Sequence, residues 1–224
     1  MRRLFSYPLC AFSRQALLAL DEKKLDVEVE LTRFWDASCG LTEMHPLGRL
    51  PLLVDLNGTV VVGVYAVIEY LEEAYDHVKL LGEDLASKAE ARRIFHWFNE
   101  DFAAEITLPM FFEKDIKRHL KLSSTAPSSA VMRRVKEVLP SYIHQLEWFA
   151  ERRNWLAGND LSIADLAAAA HLSTLDYLGC VPWSSFPVAK EWYSRIKSRP
   201  SFKRLLAERV PSLPPASYYS LLDF

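Results

Sequence analysis

The chain has 224 residues, 50% of them hydrophobic and 25% charged, and a formal net charge of −2. That is globular composition. It excludes a disordered chain, a collagen-like one and a disulfide-stapled mini-protein, and it provides no overall positive field to draw nucleic acid or anionic lipid. Three widely spaced cysteines, Cys10, Cys39 and Cys180, suit a reducing cytoplasm better than a secreted disulfide frame.

Arg2 to Tyr7 is an apolar strand stopped at Pro8, with none of the apolar core of a signal peptide. Ser13 to Lys23 has helical spacing at Ala16, Leu17 and Leu20. Leu25 to Leu31 alternates Val27, Val29 and Leu31 with acidic residues, which predicts a half-buried strand. Leu50 to Asp55 and Thr59 to Val62 flank Asn57-Gly58, a strong hairpin signal, and Ala66 to Tyr75 follows as a helix. The order is β-α-β, a short connection, then β-β-α.

His77 to Glu83 reads as a linker, and the pattern beyond it is helical. Ala86 to about Leu120 is one helix with a kink predicted at Pro109. Lys121 to Ser129 is a Ser/Thr/Pro loop. Ala130 to Arg153 is a second helix, interrupted at Pro140. Ser162 to Tyr177 is almost entirely apolar and belongs at the centre of the helical part. Pro187 to Ser198 and Pro200 to Arg209 each open on a proline. No apolar run is long enough to span a bilayer, and the six histidines show no metal-ligand spacing.

Three constellations carry chemistry. Cys10-Ala-Phe-Ser13-Arg14 sits between the first strand and the first helix. A thiol there faces the positive end of the helix dipole, which favours thiolate; the plainer alternative is a small buried hydrophobe. His45-Pro-Leu-Gly-Arg-Leu50-Pro51 precedes a strand. A cis bond at Pro51 would turn the Leu50 backbone outward to pair with an extended peptide; the alternative is a tight turn. Ser162 to Asp165 resembles a capping box and is structural.

Together with Ile68-Glu-Tyr-Leu, these blocks resemble the glutathione S-transferase family across nearly the whole chain. The resemblance implies an α/β thioredoxin-like domain over residues 1–78, an all-helical domain over 86–209 and a C-terminal tail over 210–224. It places Cys10, with Ser13, where cysteine-type members keep their active thiol, and Leu50 and Pro51 where the backbone pairs with glutathione. The family's Glu-Ser pair, which holds the γ-glutamyl group, falls here on Gly63 and Val64. Each charge-assisted bond so lost is worth roughly 1.5–3 kcal/mol, and two of them weaken binding by about a hundredfold or more. Tyr65 stands adjacent as a residue to fill the space. The resemblance therefore implies no working cofactor, glutathione being a ligand only if the site functions.

Phe34-Trp35, Glu90 to Phe98, Gly179 to Trp183 and the ending Tyr219 to Phe224 are similar to a narrower group. Its members are transferase-like proteins that bind FtsZ filaments as dimers and promote constriction in bacterial division. The partner residues so implied are Trp35, Tyr219, Leu222, Asp223 and Phe224. Five large apolar side chains in the last seven residues must dock on the chain itself or on a partner. Trp35 is either an interface anchor or domain packing. Arg92, Arg93, Lys114, Lys117, Arg118, Lys121, Arg133, Arg134 and Lys136 make the front of the helical part basic. That face either steers an acidic FtsZ or is simply solvated. Two functions follow: a dimeric FtsZ-binding regulator, or a cysteine-type, glutathione-dependent thiol transferase working through Cys10.

Overall fold

The computed structural model describes residues 1–120, 122, 124–211 and 213–222, without the side chain of Ala37. Strand β1 (Arg2–Ser6) leads into helix α1 (Ala11–Glu22), and β2 (Val27–Leu31) then pairs in parallel with β1. A four-residue helix α2 (Leu41–Met44) precedes β3 (Leu52–Val54) and β4 (Val60–Val62). These join as an antiparallel hairpin on the other side of β1, in the order β2-β1-β3-β4. Helix α3 (Val64–Ala74) closes this unit.

The expectation for β2 is corrected. Of its apolar row only Val27 is partly buried against the core; Val29 and Leu31 are exposed, β2 being an edge strand.

The connection after α3 is fastened. The buried Lys23 ammonium donates to the carbonyls of Tyr75 and Val78 and pairs with Glu72 at 2.7 Å. The Glu72 carboxylate also accepts from the amides of Leu80 and Leu81.

Helix α4 (Leu85–Trp97) continues through a π-helical segment (Phe98–Thr107) into α5 (Leu108–Lys114). At Pro109, where a kink is expected, the wider π turns absorb the missing donor: the Leu108 amide reaches back to Ala103. Helix α6 (Ser129–Ala150) runs unbroken through Pro140. The bond forfeited there is the one to the Lys136 carbonyl, at an exposed residue open to solvent.

Every residue of α7 (Ile163–Tyr177) is buried. Its start is a capping box: the Ala164 amide donates to Ser162 Oγ and the Ser162 amide to Asp165 Oδ2. Burial pushes the Asp165 carboxyl up to about 6. Helix α7 packs against α1, α4 and α8 (Pro187–Lys197), so one helix joins the α/β unit to the helical part. A last short helix, α9 (Lys203–Ala207), precedes the tail.

Candidate functional site

The sheet register brings three of the sequence-predicted pieces to one edge. Phe5 pairs with Leu52, and Leu52 with Val62, so the end of β1, the start of β3 and the end of β4 are neighbours. Cys10 follows the first, Leu50 and Pro51 precede the second, and Gly63 and Val64 follow the third. The Leu50–Pro51 peptide is cis. The Gly63 amide donates to the Pro51 carbonyl at 2.8 Å, while the Leu50 backbone makes no hydrogen bond among the described residues.

Cys10 is the N-cap of α1 and is buried. Burial pushes its thiol up; the Ser13 hydroxyl and the amides of Phe12 and Ser13 favour thiolate but do not outweigh it. Of the two readings of Cys10, its burial favours the small buried hydrophobe, since desolvation outweighs the hydrogen bonds that favour thiolate. The Ser13 hydroxyl is fully buried and has no nitrogen or oxygen partner among the described residues; the group it faces is the Cys10 sulfur.

At the start of α3 the backbone of Gly63 takes φ +86, and a Cβ there would meet nothing within 4 Å. Val64 is buried. Neither residue carries a side-chain oxygen, and no side chain caps the helix. The α-carboxylate and amine of a γ-glutamyl group would meet bare backbone here. Tyr65 does not fill the space. Its ring lies edge-on to Phe95 and tilted on His96, and its hydroxyl donates to Glu100 at 2.7 Å, so it ties α3 to the helical part.

Trp35 is half-buried. It stacks on His119 at 4.7 Å and meets Tyr7 edge-on at 4.9 Å. Tyr7 in turn donates to the buried Asp115 at 2.8 Å, and Asp115 also faces His119 and Arg118. Desolvation and this carboxylate raise the Tyr7 phenol far above its ordinary value, so it stays protonated. Trp35 thus belongs to an aromatic joint between the two halves, with Phe34 beside it at the surface. No pattern in the sequence marks Tyr7 or Asp115, because the pair forms only across 108 residues of chain.

The tail divides in two. Tyr219 is fully buried: its hydroxyl donates to the Leu205 carbonyl and accepts from Arg14, and its ring meets Tyr177 edge-on at 5.0 Å. As a partner contact Tyr219 is corrected to a self-docking anchor. Leu221 and Leu222 beyond it are exposed. Asp223 and Phe224 lie outside the described residues, as does Lys121.

The basic face is partly neutralised. Arg92 pairs with Glu69, Arg93 with Glu90, Lys117 with Glu113 and Arg118 with Asp115, while Arg133 and Arg134 reach Glu137 and Glu105 only at 3.9 Å.

The sequence matches the glutathione S-transferase N-terminal domain over residues 9–74 and the glutathione S-transferase C-terminal domain over residues 100–200. The chain belongs to the glutathione S-transferase family. Within it, the chain is similar to FtsZ-localized protein A of Caulobacter vibrioides, at 42% identity over 226 residues that span 100% of this chain and 98% of the relative. The solved structure of FzlA from C. crescentus superposes with a TM-score of 0.95 at 42% identity, covering 100% of this chain and 99% of that one. A glutathione S-transferase from Rhodospirillum rubrum F11 gives 0.96 at 41%, with full coverage of both chains. Glutathione S-transferase 3 of Zea mays is more distant, 27% identical over 96% of this chain and 97% of the relative.

Proposed function

We propose that this protein is a binding protein on the transferase fold: a homodimeric regulator of bacterial cell division that engages FtsZ at the division site in the cytoplasm. The full-length 42% identity to FtsZ-localized protein A carries this reading. The site chemistry supports it. A buried thiol held in its neutral form is a poor nucleophile, and the Gly63-Val64 pair offers a γ-glutamyl group no side-chain partner. The glutathione position is vestigial on this account, and the surface that matters is elsewhere. Leu221 and Leu222, presented just past the Tyr219 anchor, supply exposed apolar contact, with Asp223 and Phe224 continuing it in sequence.

Co-sedimentation with GTP-polymerised FtsZ tests the proposal. The protein is expected in the pellet well above a control without FtsZ. Folded protein that stays in the supernatant at every filament concentration would contradict it.

A further inference from the structure

A second concavity, of about 430 Å³, lies between α5, α6 and the segment after α7, and shares no residue with the site described above. Its size falls in the range that holds small organic ligands, roughly 300–1,000 Å³. The walls are apolar: Met110, Val135 and Leu139 are buried, and Met132 is partly so. The two methionines can adapt to a flexible chain.

The charge on the lining has one sign. Lys114, Arg133 and Lys136 contribute to it, and no carboxylate does. Lys114 is fixed, donating to the Leu178 carbonyl at 2.8 Å, and its ammonium faces the Cys180 sulfur. Lys136 forms no ion pair among the described residues. Arg133 reaches only the exposed Glu137, at 3.9 Å. Arg92, Arg93, Lys117 and Arg118 elsewhere in the helical part pair with carboxylates more closely than Arg133 does, so this rim stands out as positive.

A peptide is disfavoured as occupant, since its buried amides would need acceptors and, sulfur apart, no lining side chain is one. A chain with a single anionic end matches what is present. We infer that this cavity binds an alkyl carboxylate of medium length. The chain lies on Met110, Met132, Val135 and Leu139, and the carboxylate lies against Lys136 and Arg133.

Cys180 lines the cavity and serves as a built-in reporter. The full chain is treated with iodoacetamide with and without decanoate, and modification is read by peptide mass spectrometry, with Cys39 as internal control. Decanoate is expected to slow alkylation of Cys180 at least fivefold and leave Cys39 unchanged. Decanol, the same chain without the charge, should protect at least tenfold more weakly by concentration. Arg133→Glu with Lys136→Glu, two exposed positions, should erase the difference between acid and alcohol. Calorimetry supplies an independent reading: one saturable decanoate site in the parent protein, absent in Met132→Trp, which fills the cavity from its rim. Equal protection by acid and alcohol, equal slowing of Cys39, charge variants that behave as the parent, or no saturable heat would each overturn the inference.

Discussion

His171 shows how far burial governs this protein. It is fully buried on α7, its ring 2.9 Å from Thr107 Oγ1, 3.2 Å from Asn99 and 3.3 Å from Gln15. Desolvation lowers its pKa from 6.5 to about 3. Because the folded pKa lies below the unfolded one, its contribution to stability is complete above pH 6.5 and is lost as the pH falls toward 3. The stability gap between the parent protein and His171→Gln should therefore narrow from pH 7 to pH 4 in urea denaturation. A constant gap would contradict this. Arg14 offers the complementary case. It is fully buried, donates to Ser173 at 2.7 Å and to Tyr219 at 3.2 Å, and pairs with Glu208 at 3.3 Å. Burial pushes the Glu208 carboxyl up to about 7 even with this partner. Arg14→Met strands that carboxylate, so a loss of about 3–5 kcal/mol is expected at pH 8. The loss should be smaller at pH 5, where Glu208 is protonated; equal losses at both values would count against the pairing. The Cys-Ala-Phe-Ser-Arg block stood out in the sequence, but for its thiol. That Arg14 pins the tail was not legible there, since Ser173, Glu208 and Tyr219 are distant in the chain.

At the scale of elements, local chemistry was legible and context was not. The Asn57-Gly58 hairpin, the capping box at Ser162 and the buried α7 each follow from a few adjacent residues, and each forms as expected. Edge position exposed Val29 and Leu31 of β2, and a π segment leads into Pro109. Both outcomes depend on neighbours that periodicity does not name. The start of α3 allows a direct test of the lost glutathione grip. Gly63→Glu with Val64→Ser restores the two side chains the family resemblance implies, and the open space around Gly63 admits the first. Glutathione affinity in calorimetry should rise by about a hundredfold, the worth of two charge-assisted bonds. The positive φ at Gly63 should reduce stability by about 1–3 kcal/mol. An unchanged affinity in a folded variant would mean that something other than these side chains blocks the site.

Across the whole molecule, the same long-range contacts that join the two halves also take over residues that look functional in isolation. Trp35 and Tyr219 read as candidates for partner contact and Tyr65 as a filler of the glutathione space, and each is engaged between distant parts of the chain. The joint at Tyr7 and Asp115 is part of that framework. Tyr7→Phe leaves the buried Asp115 short of one donor, and a loss of about 1–3 kcal/mol is expected in thermal or urea denaturation; a variant as stable as the parent would show that the bond contributes nothing. Leu221 and Leu222, beyond Tyr219, stay exposed and are the residues the proposed function assigns to the partner. The most direct test is FtsZ co-sedimentation of two variants beside the parent, Cys10→Ser and the double substitution Leu221→Asp, Leu222→Asp. The account predicts that Cys10→Ser pellets with filaments as the parent does, and that the tail variant stays in solution with an unchanged melting temperature. Loss of pelleting in Cys10→Ser with full pelleting of the tail variant would contradict it.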